Sequence, residues 1–440
     1  MRARTRHLLL AAGLVPALAA AAGQPHDPAS SVPAPVYSTL PVPVSGQAAM
    51  GEIDWREAND TVGAFTGGHR DVLRWEAEHM PSTAAQALPD GEPLAAAEAL
   101  RIALGKRPDL FASETMGALE RAEADIAVIN LSRDVHRAWI KAVSAEQTLR
   151  RAEEAFEAVD VSTELALRMT RVGNWGQDRL LKKQLSHADT AIALAQTRQE
   201  AASAREQLIR QLGLWGAEAS TLRLPDSLPA LPAAPLDAEG LEATAVRNHP
   251  RLQLLAIRAE WARRGLSAGT LETWQNAAQS ALSAQLPQRS ASDDPMGGLI
   301  TRAPLLEYRR LPARHEAGDA MRAQAEAAAL AADIRSQVRE AYHQYRVAYD
   351  IARLAEENAR LSEEIQEETL LQYNGMLKST WDLLASARDR VERSGAAVNA
   401  RRDFWLAHAN LQAVLAGADY AGPDGSSLSA AGNPNAAGGH

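Results

Sequence analysis

The chain has 440 residues, a formal net charge of −9 and no cysteine. The missing cysteines exclude disulfides, thiolate metal sites, cysteine nucleophiles and a lipid-modified N-terminal cysteine. The acidic balance argues against a nucleic-acid partner, because phosphate binding needs a basic surface.

In chain order, Arg2, Arg4, Arg6 and His7 precede an apolar run from Leu8 to Ala20 and then small residues, the pattern of an export signal cleaved near Ala22. No later stretch approaches the ~20 apolar residues of a spanning helix, so any membrane crossing would have to use strands. Residues 23–91 are rich in Pro, Ala, Ser and Gly and read as an extended segment, with a short helix around Val72 to His79. Residues 92–216 are expected to form a first helical unit, 217–237 a proline-rich linker, 238–417 a second helical unit, and 418–440 a disordered tail.

The first unit carries apolar residues at Leu131, Val135, Ala138, Ala142, Ala145, Leu149, Ala152, Phe156 and Val159. This alternating 4 and 3 spacing is a coiled-coil seam, and its alanines let a partner helix come close. The run breaks at Gly173 and Gly176. A return helix follows, with a seam at Leu181, Leu185, Ala188, Ile192, Ala195 and Ala202, and stops at Gly213. The pair is an antiparallel hairpin. In the second unit a long helix is predicted from about Glu316 to Leu371, with Ile351, Leu354, Leu361 and Ile365 on its seam. After Asn374-Gly375 a return helix places Leu384, Val391, Val398 and Trp405 seven residues apart, which implies a left-handed supercoil. Gly173 and Gly375 are both expected to supply a left-handed conformation at their turns.

The two units repeat one another. Ala103-x4-Pro108-x-Leu110 recurs as Ala245-x4-Pro250-x-Leu252. Val172-Gly173-Asn174, leading to Asp178, is matched by Tyr373-Asn374-Gly375-Met376, leading to Asp382. The intervals differ: Pro108 to Gly173 is 65 residues and Pro250 to Gly375 is 125, so the first is 60 shorter.

These features together resemble the TolC-type outer-membrane efflux factor family, over roughly residues 93–417. The resemblance rests on Ala103-Leu104-x3-Pro108, Arg171-Val172-Gly173-Asn174-Trp175-x2-Asp178 and Gln211-Leu212-Gly213-Leu214-Trp215-Gly216. In the second unit it rests on His249-Pro250-x-Leu252, Ala303-Pro304-Leu305-Leu306, Tyr373-Asn374-Gly375-Met376-Leu377 and Arg402-Asp403-Phe404-Trp405-Leu406-Ala407. The turns look most like members associated with heavy-metal, especially copper, resistance. The resemblance implies a mainly α fold of duplicated long antiparallel coiled-coil hairpins, three chains forming one helical tunnel below a β-barrel. It also implies an outer-membrane location facing the periplasm, with a periplasmic adaptor and an inner-membrane pump as partners. The hairpin tips, Val172, Gly173, Asn174 and Trp175 with Tyr373, Asn374, Gly375 and Met376, would be the partner-binding residues. Asp178 and Asp382 would ring the mouth as a constriction, against the simpler role of first-turn carboxylates favoured by a helix dipole.

One departure concerns the barrel. The first unit has no room for a strand pair. In the second, Leu271, Trp274, Ala278, Leu282 and Leu286 of the segment 266–312 sit at helical spacing. The barrel portion is therefore expected to be reduced or absent.

No enzyme motif is complete. Gly67-Gly68-His69 lacks the setting and the lysine of a phosphate loop. His315-Glu316-Ala317-Gly318 lacks the second histidine of a zinc helix. His343 lies amid Tyr342, Tyr345 and Tyr349, where an interhelical aromatic face is the simpler reading. His136, His187 and His408 are scattered, and Met169 and Met376 are not clustered as soft-metal ligands would be. No catalysis, cofactor or bound metal is expected. Two functions stay open: an efflux duct component of a tripartite export system, for heavy-metal ions in the narrower assignment, and a non-conducting periplasmic coiled-coil interaction protein derived from that family. A periplasmic metal-binding protein is a weaker third.

Overall fold

The computed structural model describes residues 93–285, 305–306 and 308–422. The described residues are almost wholly helical and contain no strand. The helices are α1 (Ala96–Gly105), α2 (Ala118–Arg171), α3 (Gln177–Leu212), α4 (Gly216–Ser220), α5 (Leu241–Asn248), α6 (Pro250–Arg263), α7 (Ala268–Gln285), α8 (Arg314–Asn374) and α9 (Thr380–Ala416). Two three-residue 3-10 turns, Pro108–Leu110 and Tyr308–Arg310, complete the set.

Four long helices form two antiparallel hairpins, α2 with α3 and α8 with α9. The longest, α8, has 61 residues and spans roughly 92 Å at ~1.5 Å per residue. The hairpins join through α2 against α9, which leaves α3 and α8 on the outside. Small buried residues make the close contacts: Ala138, Ala142 and Ala166 on α2, Ala191 and Ala201 on α3, Ala341 and Ala352 on α8, and Ala400 and Ala407 on α9. Inter-helix polar pairs fix the vertical alignment. Arg198 meets Glu153 at 3.2 Å and Arg205 meets Glu146 at 2.9 Å in the first hairpin, and Arg401 pairs with Glu356 in the second. Arg137 donates to the Asn410 side chain across the two repeats at 2.6 Å.

At the end away from the turns, short helices and the proline-rich linker brace the bundle. Here α5 and α6 pack on α8, and α1 packs on α2. A proline-rich strap has few N–H donors, so side chains fasten it. The Tyr349 hydroxyl donates to the Pro232 carbonyl at 3.1 Å, Tyr342 donates to Leu236 O at 3.1 Å, and Leu236 N–H donates to the Tyr345 hydroxyl at 3.0 Å. Trp405 Nε1 donates to Pro229 O at 3.0 Å, and Trp139 Nε1 donates to Leu94 O at 2.8 Å. The tyrosine face around His343 is thus structural: Tyr345 and Tyr349 are buried and pack against Phe404, while His343 is exposed.

Several expectations change. The Leu/Ile rows assigned to the hairpin seams point outward: Leu181, Leu185 and Ile192 on α3, and Ile351, Leu354, Leu361 and Ile365 on α8, are all exposed. The inner seams use instead Leu180, His187, Ala191, Leu194 and Ala201 on α3, and Ile334, Val338, Ala341, Tyr345, Tyr349 and Ala352 on α8. Alanine wins inside because thin side chains allow close backbones, and tyrosine wins where its hydroxyl has a linker backbone group to reach. The tail does not begin at Ala418: that residue is buried, and Tyr420 bonds Gln337 through its N–H at 2.8 Å and Gln344 through its hydroxyl at 2.7 Å. Gly417 ends α9 at φ +114°, and a Cβ there would lie 2.7 Å from Pro250 Cδ, so the repeat-two motif seats directly on this glycine.

The duplicated motif itself diverges. Pro108 opens only a three-residue turn. Pro250 opens α6, and the Leu252 N–H in its first turn donates to His249 Nδ1 at 3.3 Å. The helical spacing from Leu271 to Leu282 forms α7, with Trp274 buried and its Nε1 donating to Pro312 O at 2.9 Å. Residues 1–92, 286–304, 307 and 423–440 fall outside the described residues, and with them the export signal, the extended segment, Leu286 and the Ala303-Pro304 part of its motif.

Candidate functional site at the hairpin tips

Both hairpins reverse at the same end, and their tips touch. The Trp175 and Trp381 rings stack with centroids 4.4 Å apart and planes 26° from parallel. Lys183 lies over the Trp381 ring at 5.2 Å, and the Arg179 guanidinium lies 5.8 Å from the Trp175 centroid. Offset stacks of this kind are worth about 0.5–1.5 kcal/mol beyond the area they bury.

Each turn is a Schellman closure, and the two differ in one respect. In the first, Gly173 takes φ +80°, its N–H reaches Thr170 O at 3.1 Å, and Asn174 N–H reaches Met169 O at 3.0 Å. In the second, Met376 N–H reaches Tyr373 O at 2.9 Å and Leu377 N–H reaches Gln372 O at 2.8 Å. The left-handed residue there is Met376, at φ +60°, not Gly375, which sits at φ −79°. Met376 is therefore the structural equivalent of Gly173. The expectation that Gly375 supplies the left-handed step is corrected: the helix continues one residue further before it closes.

The tip side chains separate into three groups. Met376, Leu377 and Val172 are 94%, 79% and 70% exposed, and they point apolar surface into solvent. Tyr373, Asn374, Gly173 and Asn174 are exposed on the same turns. Trp175, expected as a free contact residue, is instead half covered by Trp381. Asp178 is exposed in the first turn of α3. Asp382 closes a capping box: Ser379 N–H donates to Oδ2 at 2.9 Å, Ser379 Oγ donates to it at 2.7 Å, and Asp382 N–H donates to Ser379 Oγ at 3.2 Å. The Ser379 backbone and hydroxyl donors, with Lys378 nearby, hold the Asp382 carboxyl below the usual range. Trp381 and Lys183 escaped the sequence reading, and Leu377 entered it only within the turn motif and not as a contact residue. A tryptophan within a few residues of both turns was the available signal.

The other end holds an apolar cavity of about 900 Å³ between α2, α9 and the linker, with Trp139, Trp405, His136 and His408 in its wall. The His408 ring packs among Tyr345, Phe404 and Trp405, and its Nδ1 is buried without a hydrogen-bond partner. Burial, and then the neighbouring His136, push its pKa down, which keeps the ring neutral. Among the described residues no three His, Asp or Glu side chains gather as metal ligands. No described helix is long and apolar enough to cross a membrane.

No protein-family model matches this sequence, and no curated protein sequence does. Solved structures of similar shape include bacterial outer-membrane channels. The CmeC outer membrane channel of Campylobacter jejuni is 12% identical, with 68% of this chain aligned to 65% of that one at TM-score 0.45, so the match spans just under two thirds of the CmeC length. VceC from Vibrio cholerae is 14% identical over 73% of this chain and 75% of that one, at 0.47. CusC is 15% identical over 73% and 92%, at 0.48. The chain resembles these TolC-type channels in its helical architecture. At such identities and scores the likeness carries neither activity nor partners across.

Proposed function

We propose that the chain is a self-associating helical duct component of TolC type, exported to the periplasm and outer membrane, which takes part in efflux without chemistry of its own. The observation that carries this reading is the pair of outward stripes. Leu181, Leu185, Ala188, Ile192 and Ala195 follow a 4, 3, 4, 3 spacing on α3. Val347, Ile351, Leu354, Asn358, Leu361 and Ile365 do the same on α8. An isolated chain would leave both heptad rows in water, and each fully buried Leu or Ile is worth about 1.5–3 kcal/mol. The rows lie on opposite outer helices, so one chain cannot pair them internally. A second copy can: α3 of one chain against α8 of the next is a head-to-tail contact, which gives a ring where its rotation closes. A homotrimer is the ring we assign. Its tips would meet a periplasmic adaptor and an inner-membrane pump through Val172, Gly173, Asn174, Trp175, Tyr373, Asn374, Gly375 and Met376, with Asp178 and Asp382 around the mouth.

The chain has no cysteine, so introduced pairs report cleanly. With Leu185→Cys and Ile365→Cys in one chain, oxidation is expected to give a ladder ending at a closed ring. Monomer alone, under conditions where each cysteine reacts with maleimide, would remove the ring.

A specific observation favours a second reading, the non-conducting relative. Where the resemblance implies strands, residues 268–285 are helical, and the first repeat is 60 residues shorter. Two strands per chain in a trimer give six, below the ~8 of the smallest outer-membrane barrels. Planar-bilayer recording separates the two: large, long-lived conductance steps support the duct, and silence from a ring that still assembles supports the relative.

A further inference from the structure

The two tips differ in chemistry. Between residues 168 and 183 the first carries Arg168, Arg171, Arg179, Lys182 and Lys183 against the single carboxylate of Asp178, in a chain whose net charge is −9. Arg168 is engaged by Glu164 at 2.8 Å, and Arg179 and Lys183 lie against the two indoles. Arg171 and Lys182 are exposed and have no ion-pair partner among the described residues. The second tip is apolar at its extremity, with Met376 and Leu377 almost fully in water. Met376 also holds the left-handed conformation that favours glycine, at a cost of about 1–2 kcal/mol. The turn's own hydrogen bonds offset part of that strain, but among the described residues nothing covers the Met376 and Leu377 side chains, and strained, exposed residues gather where contacts are made. Methionine suits such a place because its flexible thioether adapts to a partner surface. The Trp175–Trp381 stack holds the basic tip and the apolar tip side by side.

We propose that the two tips form one composite docking face, joined by Trp175 and Trp381, whose partner is a protein presenting an apolar socket for Met376 and Leu377 flanked by carboxylates that meet Arg171 and Lys182. This rests on the docking role proposed above and adds the chemistry of the partner. Complementary charge at such a rim sets partner choice and speeds encounter, and the apolar centre supplies the lasting contact.

The test is a photo-cross-linking amino acid at Leu377 of the full chain in intact cells, with the attached molecule identified by mass spectrometry. The expected product is one protein, joined through a peptide that holds carboxylates within a turn of apolar residues. Arg171→Glu with Lys182→Glu should lower its yield at least tenfold, and lysines at those partner carboxylates should restore it. Trp381→Ala should lower the yield severalfold with helix content retained. The milder pair Arg171→Gln and Lys182→Gln, expected to lose about threefold, covers a reversal variant that folds poorly. An undiminished yield in folded charge variants, with loss in Met376→Ser, would overturn the charge-matched partner while leaving docking at the tips. A wild-type product that is lipid alone, or no product, would remove both.

Discussion

At the residue scale the turns offer the sharpest contrast. Gly173 holds φ +80° and Gly375 holds −79°. Gly173→Ala should therefore cost about 1 kcal/mol, because a Cβ is strained in the left-handed region. Gly375→Ala should be neutral or slightly stabilising, since a Cβ there meets only ordinary contacts at 3.5 Å. Thermal unfolding of the two variants checks this, and equal losses would contradict the turn assignment. A buried histidine, His249, and a half-buried one, His408, make a second prediction. Burial lowers the pKa of His249, with nearby Asp419 opposing and Arg251 assisting, and burial with His136 lowers that of His408. Both rings are held neutral when folded, and His249 Nδ1 is occupied as the acceptor for Leu252. The unfolded chain binds protons first as pH falls below about 6.5, so stability present above that value is lost towards the lower folded pKa. The drop in melting temperature between pH 7.5 and 5.5 should shrink in His249→Asn with His408→Phe. A drop as large as in the wild type would contradict it.

At the scale of elements, the strap is held mainly by side chains. Tyr349→Phe and Tyr345→Phe each remove a hydroxyl bonded to linker backbone and should each cost about 0.5–1.5 kcal/mol, visible as a lower denaturant midpoint with unchanged slope. The helices and their hairpin pairing were legible in the heptad spacing and the glycine breaks. The choice between two seams on one helix was not. On α8 the row through Ile351 and Ile365 is greasier than the row through Ala341 and Ala352, yet the second lies inside. Hydropathy ranks Ile above Ala, whereas close helix packing ranks Ala first, and only the neighbouring helix decides. Nor could propensity place a left-handed residue at Met376 beside an available glycine. The stack of Trp175 on Trp381 joins residues far apart in sequence, which local patterns do not report.

At the scale of the whole molecule, the inner seams are satisfied within one chain and the outer ones are not. An elongated bundle with apolar heptads on both flanks is what the proposed ring requires of each chain. Charging both flanks should stop assembly with little harm to the hairpins, because Leu185 and Ile365 are mostly exposed, at 63% and 61%. The measurement that tests this most directly is the mass of the mature protein in mild detergent by sedimentation equilibrium, beside Leu185→Glu with Ile365→Glu. The wild type is expected at three times the chain mass, and the variant as a monomer of unchanged helix content. A wild type that stays monomeric at micromolar concentration, or a variant that still assembles, would contradict the ring.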